Sequence, residues 1–175
     1  ANVLAEGHGF YQVGATAMAP NDRLLAYVED TTGRRQYRLR VKDLETGETF
    51  PDVVENVDPS IAWTADSASV LYVEKHPETL LGYRVRRHVL GTDPASDPLI
   101  YEQDDDSFYT EVRKTKDERY LLIVAESTVS TEVRYADAAD PALNFRVFLP
   151  RERDHEYQVE HLDGHWIIRS NWQAP

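Results

Sequence analysis

A short motif recurs along this chain at intervals of about 45 residues. Each copy combines Pro, Thr or Gly with Asp or Asn and lies just before an apolar run with high β propensity. The copies are Ala19–Asp22, Trp63–Asp66, Lys114–Asp117 and a degenerate one that ends at Asp163-Gly164. Within the apolar runs, Tyr27, Tyr72, Ile123 and Ile168 follow one another after 45, 51 and 45 residues. Repeats of this length are typical of β-propeller blades, so the spacing predicts an array of blades.

The length of the chain limits how many blades it can hold. Its 175 residues accommodate about four repeats, whereas a closed seven-bladed propeller needs about 315 residues. We therefore expect an all-β fold: a partial propeller of about four antiparallel blades, which is about half of a seven-bladed one. A complete small propeller is the alternative. Ala1 in place of Met, and Pro175 directly after a strand-like run, favour a segment of a longer protein, with residues 1–175 forming part of its propeller domain.

The hydrophobic pattern predicts antiparallel hairpins. From Gln36 to Lys42 apolar and polar residues alternate strictly, as a half-buried strand requires and a helix does not allow. The preceding run, Leu24–Glu29, is joined to it by a turn containing Gly33, so the two form a hairpin. The same rhythm returns in three further pairs: Val70–Lys75 with Tyr83–Leu90, Tyr120–Glu126 with Thr131–Tyr135, and Glu156–Leu162 with His165–Arg169. Sustained helical periodicity is absent from the sequence, which favours an all-β architecture.

The chain is strongly acidic, with 19 Lys and Arg against 31 Asp and Glu and a formal net charge of −12. This charge repels phosphate backbones and anionic lipid, which argues against nucleic acid and membrane surfaces as partners. Short cationic peptides are better partners, because an acidic cavity concentrates them. The alternative is that the charge serves solubility alone.

The composition also bears on the compartment of the protein. The chain has no Cys, which excludes disulfides and thiolate metal sites within it. Its longest apolar stretch, residues 120–125, is too short for a signal sequence or a membrane span. These features favour a cytoplasmic protein.

Motifs that carry catalysis or hold cofactors are missing from the sequence. The eight glycines include no pair four residues apart, which excludes a Gly-x-Ser-x-Gly nucleophile turn and a glycine-rich phosphate loop. His88 and His155 have no accompanying nucleophile or second ligand and are interpreted as structural or surface groups. Trp63, before the recurrent Asp66, is interpreted as packing between blades. We expect no catalytic residue, no cofactor site and no metal site in this chain.

Two patterns resemble metal sites, but the residues around them argue against a bound metal. His161 and His165 are four residues apart, yet the Asp163-Gly164 pair between them predicts a tight hairpin turn. In that register the two imidazoles point to opposite sides of the sheet, which favours strand-surface histidines. The acidic run Glu102–Asp106 lacks the Gly and Glu that a calcium-binding loop requires, which favours a solvated loop or the acidic lining of a channel.

Several stretches, in order from about residue 6 to the end, together resemble the propeller of the oligopeptidase B (protease II) group in the prolyl oligopeptidase family. Gly82 stands where such sequences commonly have Pro. The matching stretches are Phe10-Tyr11, Glu29-Asp30, Arg34–Tyr37, Leu44–Gly47, Asn56-Val57, Pro59, Lys75–Pro77, Leu80-Leu81, Tyr83, Arg87-His88, Gly91-Thr92, Tyr101-Glu102, Asp104–Asp106, Phe148–Arg151, Asp154–Tyr157 and Arg169–Asn171.

The resemblance implies a cytosolic serine peptidase that cleaves short peptides after Lys or Arg. In that family a seven-bladed propeller covers a C-terminal α/β-hydrolase domain, which holds the catalytic Ser, Asp and His and is absent from this chain. The segment would then gate substrate access and contact the hydrolase domain without catalysis of its own. Arg34, Arg35, Glu55 and Asp58 are the candidates for charged contacts between the domains, and solvated blade-edge charges are the alternative.

Other functions remain open from the sequence. A stand-alone propeller that binds protein partners is the principal alternative, although none of the three Trp residues is followed by the Asp of a WD repeat. A small carbohydrate-binding propeller is a further one. If the array is partial, its outer strand edges lack partners, so we expect the isolated fragment to self-associate through them.

Overall fold

The computed structural model describes residues 2–174, so Ala1 and Pro175 lie outside it. A short helix, α1 (Asn2–Ala5), precedes the strands, and a single 3₁₀ turn spans Pro94–Ser96. No helix among the described residues is long and apolar enough to span a membrane. The strands are β1 (Gln12–Met18), β2 (Leu24–Asp30), β3 (Tyr37–Asp43), β4 (Val54–Trp63), β5 (Ser69–Lys75), β6 (Gly82–Val89), β7 (Leu99–Glu102), β8 (Tyr109–Lys114), β9 (Tyr120–Glu126), β10 (Thr131–Asp137), β11 (Arg146–Leu149), β12 (Tyr157–Leu162) and β13 (His165–Ser170).

These strands form consecutive antiparallel blades. Blade 1 consists of β1–β4, blade 2 of β4–β7, blade 3 of β8–β11 and blade 4 of β12 and β13. The prediction of an all-β partial propeller is confirmed, with three four-stranded blades and a two-stranded fourth. The predicted hairpins are present, and Tyr27, Tyr72, Ile123 and Ile168 each occupy the fourth position of the second strand in their blade.

Strand β4 belongs to two blades. Its first part pairs with β3 through Val54 and Val57, and its last part pairs with β5 through Ile61, Ala62 and Trp63. The register shifts between Val57 and Ile61, around Pro59, where the strand leaves one blade and enters the next. A proline is tolerated at such a break because it has no N–H to contribute to the ladder.

The recurrent motif forms the turn between the first and second strands of a blade. Asn21, Asp66 and Asp117 each accept, through a side-chain oxygen, the backbone N–H two residues later, at 3.0, 3.0 and 3.3 Å. Each turn contains a non-glycine residue with a positive φ, namely Asp22 (54°), Ser67 (58°), Glu118 (60°) and, in the degenerate copy, Asp163 (51°), where Gly164 also has one (77°). The Asp or Asn is therefore repeated because its side chain satisfies backbone donors in a tight turn.

Three hydrophobic cores lie between successive blades. Hydrogen bonds also join the first strands of neighbouring blades. The Trp63 indole donates to the carbonyl of Ala17 at 2.9 Å, and the Val112 N–H donates to the Ser60 hydroxyl at 2.8 Å. Arg113 in β8 donates to the carbonyl of Val159 in β12 at 2.6 Å. The interpretation of Trp63 as packed between blades is confirmed, since it is 1% exposed within the first core.

The two ends of the blades differ in their connections. We call the end that carries the recurrent turns the turn side; it also carries the loops 44–53, 90–98 and 138–145. We call the opposite end the crossover side. It carries the loops 31–36, 76–81 and 127–130 within blades and the connections 58–60, 103–108 and 150–156 between blades. Strand β13 pairs with β12 on one side and with no other described strand, so the predicted open edge is present, while self-association stays a prediction.

Candidate functional site

The four residues proposed from the sequence as interdomain contacts all lie on or beside the crossover side. Arg34 and Arg35 belong to the loop 31–36 of blade 1, Asp58 lies at the connection between blades 1 and 2, and Glu55 precedes it in β4. The fold therefore brings to one end of the molecule residues that the sequence separates by about twenty positions.

Asp30, at the end of β2, organises the loop that presents the two arginines. Its carboxylate accepts the backbone N–H groups of Thr32 at 2.7 Å, Gly33 at 3.1 Å and Arg35 at 2.8 Å. Burial acts to raise the pKa of Asp30, but these hydrogen bonds and the one from the Thr32 hydroxyl outweigh it and hold the pKa below its usual value. Arg35 adopts a positive φ of 57° in this loop. Arg34 and Arg35 are exposed, and within residues 2–174 their guanidinium groups make no hydrogen bond or ion pair.

Lys75 is a buried cation beneath this loop. Its Nζ donates to the Arg35 carbonyl at 2.9 Å and lies 3.5 Å from a carboxylate oxygen of Asp58. Burial raises the pKa of Asp58, while the Lys75 ammonium acts to lower it. Asp58 is therefore engaged inside the propeller with its side chain 29% exposed, whereas Glu55 is exposed and makes no ion pair in the described part of the chain. The role of all four residues between domains stays a prediction.

The acidic run Glu102–Asp106 borders a concave pocket of about 520 Å³ on the crossover side of blade 2. Glu102 ends β7 and pairs with Arg84 at 2.8 Å. The Ser107 hydroxyl and N–H hold the pKa of Asp105 below its usual value, and Arg151 lies 4.0 Å away. Asp104 and Asp106 are exposed and have no side-chain partner among residues 2–174.

Aromatic and cationic side chains fix the shape of this acidic loop. The Arg84 guanidinium lies 4.6 Å from the centre of the Tyr83 ring, and the Arg151 guanidinium lies 3.7 Å from the centre of the Phe108 ring. Phe108 and Gln103 are buried at the two ends of the loop, so the carboxylates between them are held outward. The result is an acidic lip on the pocket, which suits a positively charged ligand better than an anionic one.

The crossover side also carries exposed apolar side chains. Every blade contributes at least one: Phe10, Leu80, Tyr109, Val129 and Trp172. The Leu80 side chain is 43% exposed. Its backbone has a φ of 62°, a conformation in which Gly or Asn is more stable than Leu. These side chains give the crossover side apolar area that is available for a contact.

The histidines and acidic groups do not form a metal centre in the described residues, where no group of three or more potential ligands comes together. His161 pairs with Trp166 and Leu162 with His165 across the turn, which confirms that the two imidazoles point to opposite sides. The predicted surface position is right for His165 and wrong for His161. The latter is 3% exposed, because its ring packs on Tyr120 and its Nδ1 lies 2.5 Å from an Asp117 oxygen.

Three comparisons with known proteins bear on this surface. The family model described as "Prolyl oligopeptidase, N-terminal beta-propeller domain" matches residues 1–175. The chain belongs to this prolyl oligopeptidase family. Its fold is similar to that of oligopeptidase B from Leishmania major, with a TM-score of 0.91 and 30% identity over 98% of this chain and 24% of that one.

Two curated relatives extend this placement in the prolyl oligopeptidase family. Dipeptidyl aminopeptidase BI of Pseudoxanthomonas mexicana is 49% identical over 97% of this chain and 23% of its own length. Protease 2 of Moraxella lacunata is 30% identical over 97% of this chain and 25% of its own length. The chain thus spans about a quarter of the length of these relatives. The resemblance to the oligopeptidase B group seen in the sequence is confirmed.

Sequence reasoning missed several residues that shape the crossover side. Lys75 ends a strand just after the apolar run Val70–Val73, and a lone Lys so close to such a run is the sequence signal that could have marked it. Leu80, Tyr83 and Phe108 give no comparable signal, because their exposure or stacking depends on the fold of two neighbouring loops.

Proposed function

We propose that this chain is part of the propeller that covers the catalytic domain of a serine peptidase acting on short cationic peptides, with cleavage after Lys or Arg. The match of the whole chain to the propeller of the prolyl oligopeptidase family supports this proposal most strongly. The chain contributes access control and domain contact, while the catalytic triad belongs to an α/β-hydrolase domain outside it. The crossover side of the propeller faces the hydrolase domain and the cavity between the two domains.

Three features of the crossover side support this orientation. The segment before β1 lies on this side of the molecule. Its Phe10 ring lies beside Gly33 in the loop 31–36, and its Tyr11 hydroxyl donates to Glu29 at 2.8 Å. The exposed apolar side chains provide area for a domain contact. The free carboxylates Asp104 and Asp106 provide a field that concentrates cationic peptides in the cavity.

Release of dipeptides from a free N-terminus is a second candidate function. The 49% identity to a protein named dipeptidyl aminopeptidase favours it, as no other comparison above reaches this identity. The same acidic lip fits both activities, because a free α-amino group and a Lys or Arg side chain are all cationic at neutral pH.

Peptidase assays on the full-length gene product test the proposal and separate the two activities. One sample of the protein is treated with a fluorophosphonate probe. A separate, untreated sample is assayed with an N-blocked peptide carrying an internal Arg, its Pro analogue, and a free dipeptide coupled to a fluorophore. Labelling with cleavage of the blocked Arg peptide supports the oligopeptidase. Cleavage of the free dipeptide substrate alone supports dipeptide release. A folded full-length protein that is neither labelled nor active contradicts both and favours a stand-alone interaction module.

Removal of the acidic lip tests the role of the free carboxylates. We expect Asp104→Asn/Asp106→Asn in the full-length protein to lower kcat/KM for a cationic peptide by about three- to tenfold at low salt. The effect should shrink at high salt, because screening shortens the reach of the field to a few ångströms. The double variant Asp22→Asn/Glu48→Gln is the control, since it removes the same charge from exposed positions on the turn side. Equal losses in the two variants would contradict a local role.

The arginines of the loop 31–36 test the domain contact. We expect Arg34→Gln/Arg35→Gln to lower kcat/KM by about two- to fivefold and to reduce its salt dependence, since exposed ion pairs contribute about 0–1 kcal/mol each. Arg146→Gln, an exposed arginine on the outer strand of blade 3, serves as the control. If kcat/KM and its salt response do not change in the double variant, these arginines make no contact across the interface.

A further inference from the structure

A buried network of ionisable side chains joins blade 1 to blade 2 at the rim of the turn side. His88 in β6 is 1% exposed and lies between two carboxylates. Its Nδ1 is 3.0 and 3.2 Å from the two oxygens of Asp97, in the loop 90–98 of blade 2. Its Nε2 is 3.4 Å from an oxygen of Asp52, in the loop 44–53 of blade 1. The imidazole therefore spans the boundary between two blades.

Both carboxylates already accept other hydrogen bonds. The Tyr72 hydroxyl donates to Asp97 at 3.1 Å, and the Gly91 N–H donates to Asp52 at 2.6 Å. An ionised carboxylate accepts hydrogen bonds and has none to donate. A neutral imidazole carries one N–H, so one of its nitrogens would direct a lone pair at a carboxylate oxygen. A proton on each ring nitrogen turns both contacts into charge-assisted hydrogen bonds.

We propose that His88 is held as an imidazolium and that this buried cation acts as a pH-sensitive latch between the outer loops of blades 1 and 2. The latch is separate from the crossover side and does not depend on the proposed peptidase activity. Loss of either ring proton leaves one carboxylate facing a lone pair, and protonation of either carboxylate removes an ionic contact. The latch therefore weakens as the pH rises or falls far from neutrality.

The charges around the network favour a cation at its centre. Asp52 and Asp97 supply two negative charges next to the imidazole. The nearby Arg86 is balanced separately, since its Nε lies 2.5 Å from Glu74 and its Nη1 donates to the Asp97 carbonyl at 2.9 Å. Burial raises the pKa of Tyr72 and keeps its hydroxyl protonated as a donor. Burial also raises the pKa of Asp97, and the hydrogen bonds from His88 and Tyr72 oppose this effect.

The position of the latch determines which part of the propeller responds. Blade 2 contacts blade 3 at the turn side through the Ala65 N–H, which donates to the Ala138 carbonyl at 2.9 Å, and through the Arg87 guanidinium, which donates to the Pro141 carbonyl at 2.6 Å. Neither contact involves a histidine or a carboxylate. The boundary between blades 1 and 2 relies in addition on His88 and Asp52. A pH change that breaks the latch should therefore loosen the loops 44–53 and 90–98 before it affects the boundary between blades 2 and 3.

Nitrogen-15 NMR of the histidine side chains tests the proposal. At about pH 7.5, where a free imidazole is largely neutral, we expect His88 to carry protons on both ring nitrogens, with free histidine in the same buffer as the neutral reference. In Asp52→Asn we expect His88 to lose its second proton at a pH lower by about one unit, a tenfold change in proton affinity. The Gly91 amide, whose acceptor changes from a carboxylate to a weaker amide oxygen, should also exchange faster.

The matched control is Asp22→Asn, which removes an exposed carboxylate from the same side of the molecule without touching the network. It should leave the His88 signals unchanged. A His88 ring with one proton at about pH 7.5 would overturn the assignment. So would a titration of His88 that Asp52→Asn and Asp22→Asn shift equally, because the effect would then reflect net charge and not the contact.

Discussion

Replacement of Trp63 by Ala should lower the free energy of unfolding by about 3–5 kcal/mol, as is usual for a fully buried aromatic side chain. Trp63 is 1% exposed and fills the core between blades 1 and 2. Its indole N–H also donates to the Ala17 carbonyl in the first strand of blade 1. The substitution removes both the packing and the contact between the two innermost strands. Urea denaturation followed by far-UV circular dichroism measures the loss.

Two further variants separate these contributions. Trp63→Phe keeps most of the apolar volume and removes the indole donor, so its cost should be smaller than that of Trp63→Ala, about 1–3 kcal/mol. Trp172→Ala removes an indole that is 60% exposed and should change stability by less than about 0.5 kcal/mol. A loss below about 1 kcal/mol for Trp63→Ala would show that the two blades do not depend on this residue.

Replacement of Tyr157 by Phe should cost about 1–3 kcal/mol, because it leaves two buried backbone groups without a partner. The Tyr157 hydroxyl accepts the N–H of Val133 at 2.8 Å and donates to the carbonyl of Leu149 at 3.0 Å. Val133 and Leu149 face each other where the pairing of β10 with β11 shifts register. The hydroxyl of a blade 4 residue therefore fills a break in the hydrogen-bond ladder of blade 3.

Hydrogen exchange gives the specific readout for Tyr157. In Tyr157→Phe the Val133 amide should exchange at least about tenfold faster, corresponding to about 1.4 kcal/mol, than in the unmodified chain. The Ile123 amide in the neighbouring β9 should be less affected, since its own ladder pairing remains. Tyr109→Phe, which alters a tyrosine that is 62% exposed, is the matched control and should leave stability unchanged. Unaltered exchange at Val133 in Tyr157→Phe would contradict the bridging role.

The candidate site was only partly predictable from the sequence. The acidic run 102–106 was recognised as a loop or channel lining, and the structure places it at a pocket on the crossover side. Its pairing with Arg84 and Arg151 was not foreseen, because those residues are about 18 and 46 positions away from Glu102 and Asp105. The engagement of Asp58 by Lys75 escaped prediction for the same reason. Contacts between charged side chains depend on how the loops of different strands meet, and the residue composition does not predict which loops meet.

The histidines show the same limit of prediction from sequence. The turn at Asp163-Gly164 predicted correctly that His161 and His165 point to opposite sides, since pairing across a two-residue turn is a local property. Which side is buried depends on blade 3, whose Asp117 and Tyr120 receive His161. His88 was likewise interpreted as structural or surface, and its placement between Asp52 and Asp97 required the packing of two blades.

The sequence by itself determined the all-β class, the blade period, the hairpins and the position of the recurrent turns. These features follow from the two-residue pleat and from turn residues that satisfy nearby backbone donors, and both act over a few positions. The tertiary structure decided that β4 serves two blades, that Trp63 and Tyr157 hydrogen-bond across blade boundaries, and that His88 is enclosed by two carboxylates. Such contacts join residues from different loops and blades, and they exist because successive blades pack against each other through shared cores.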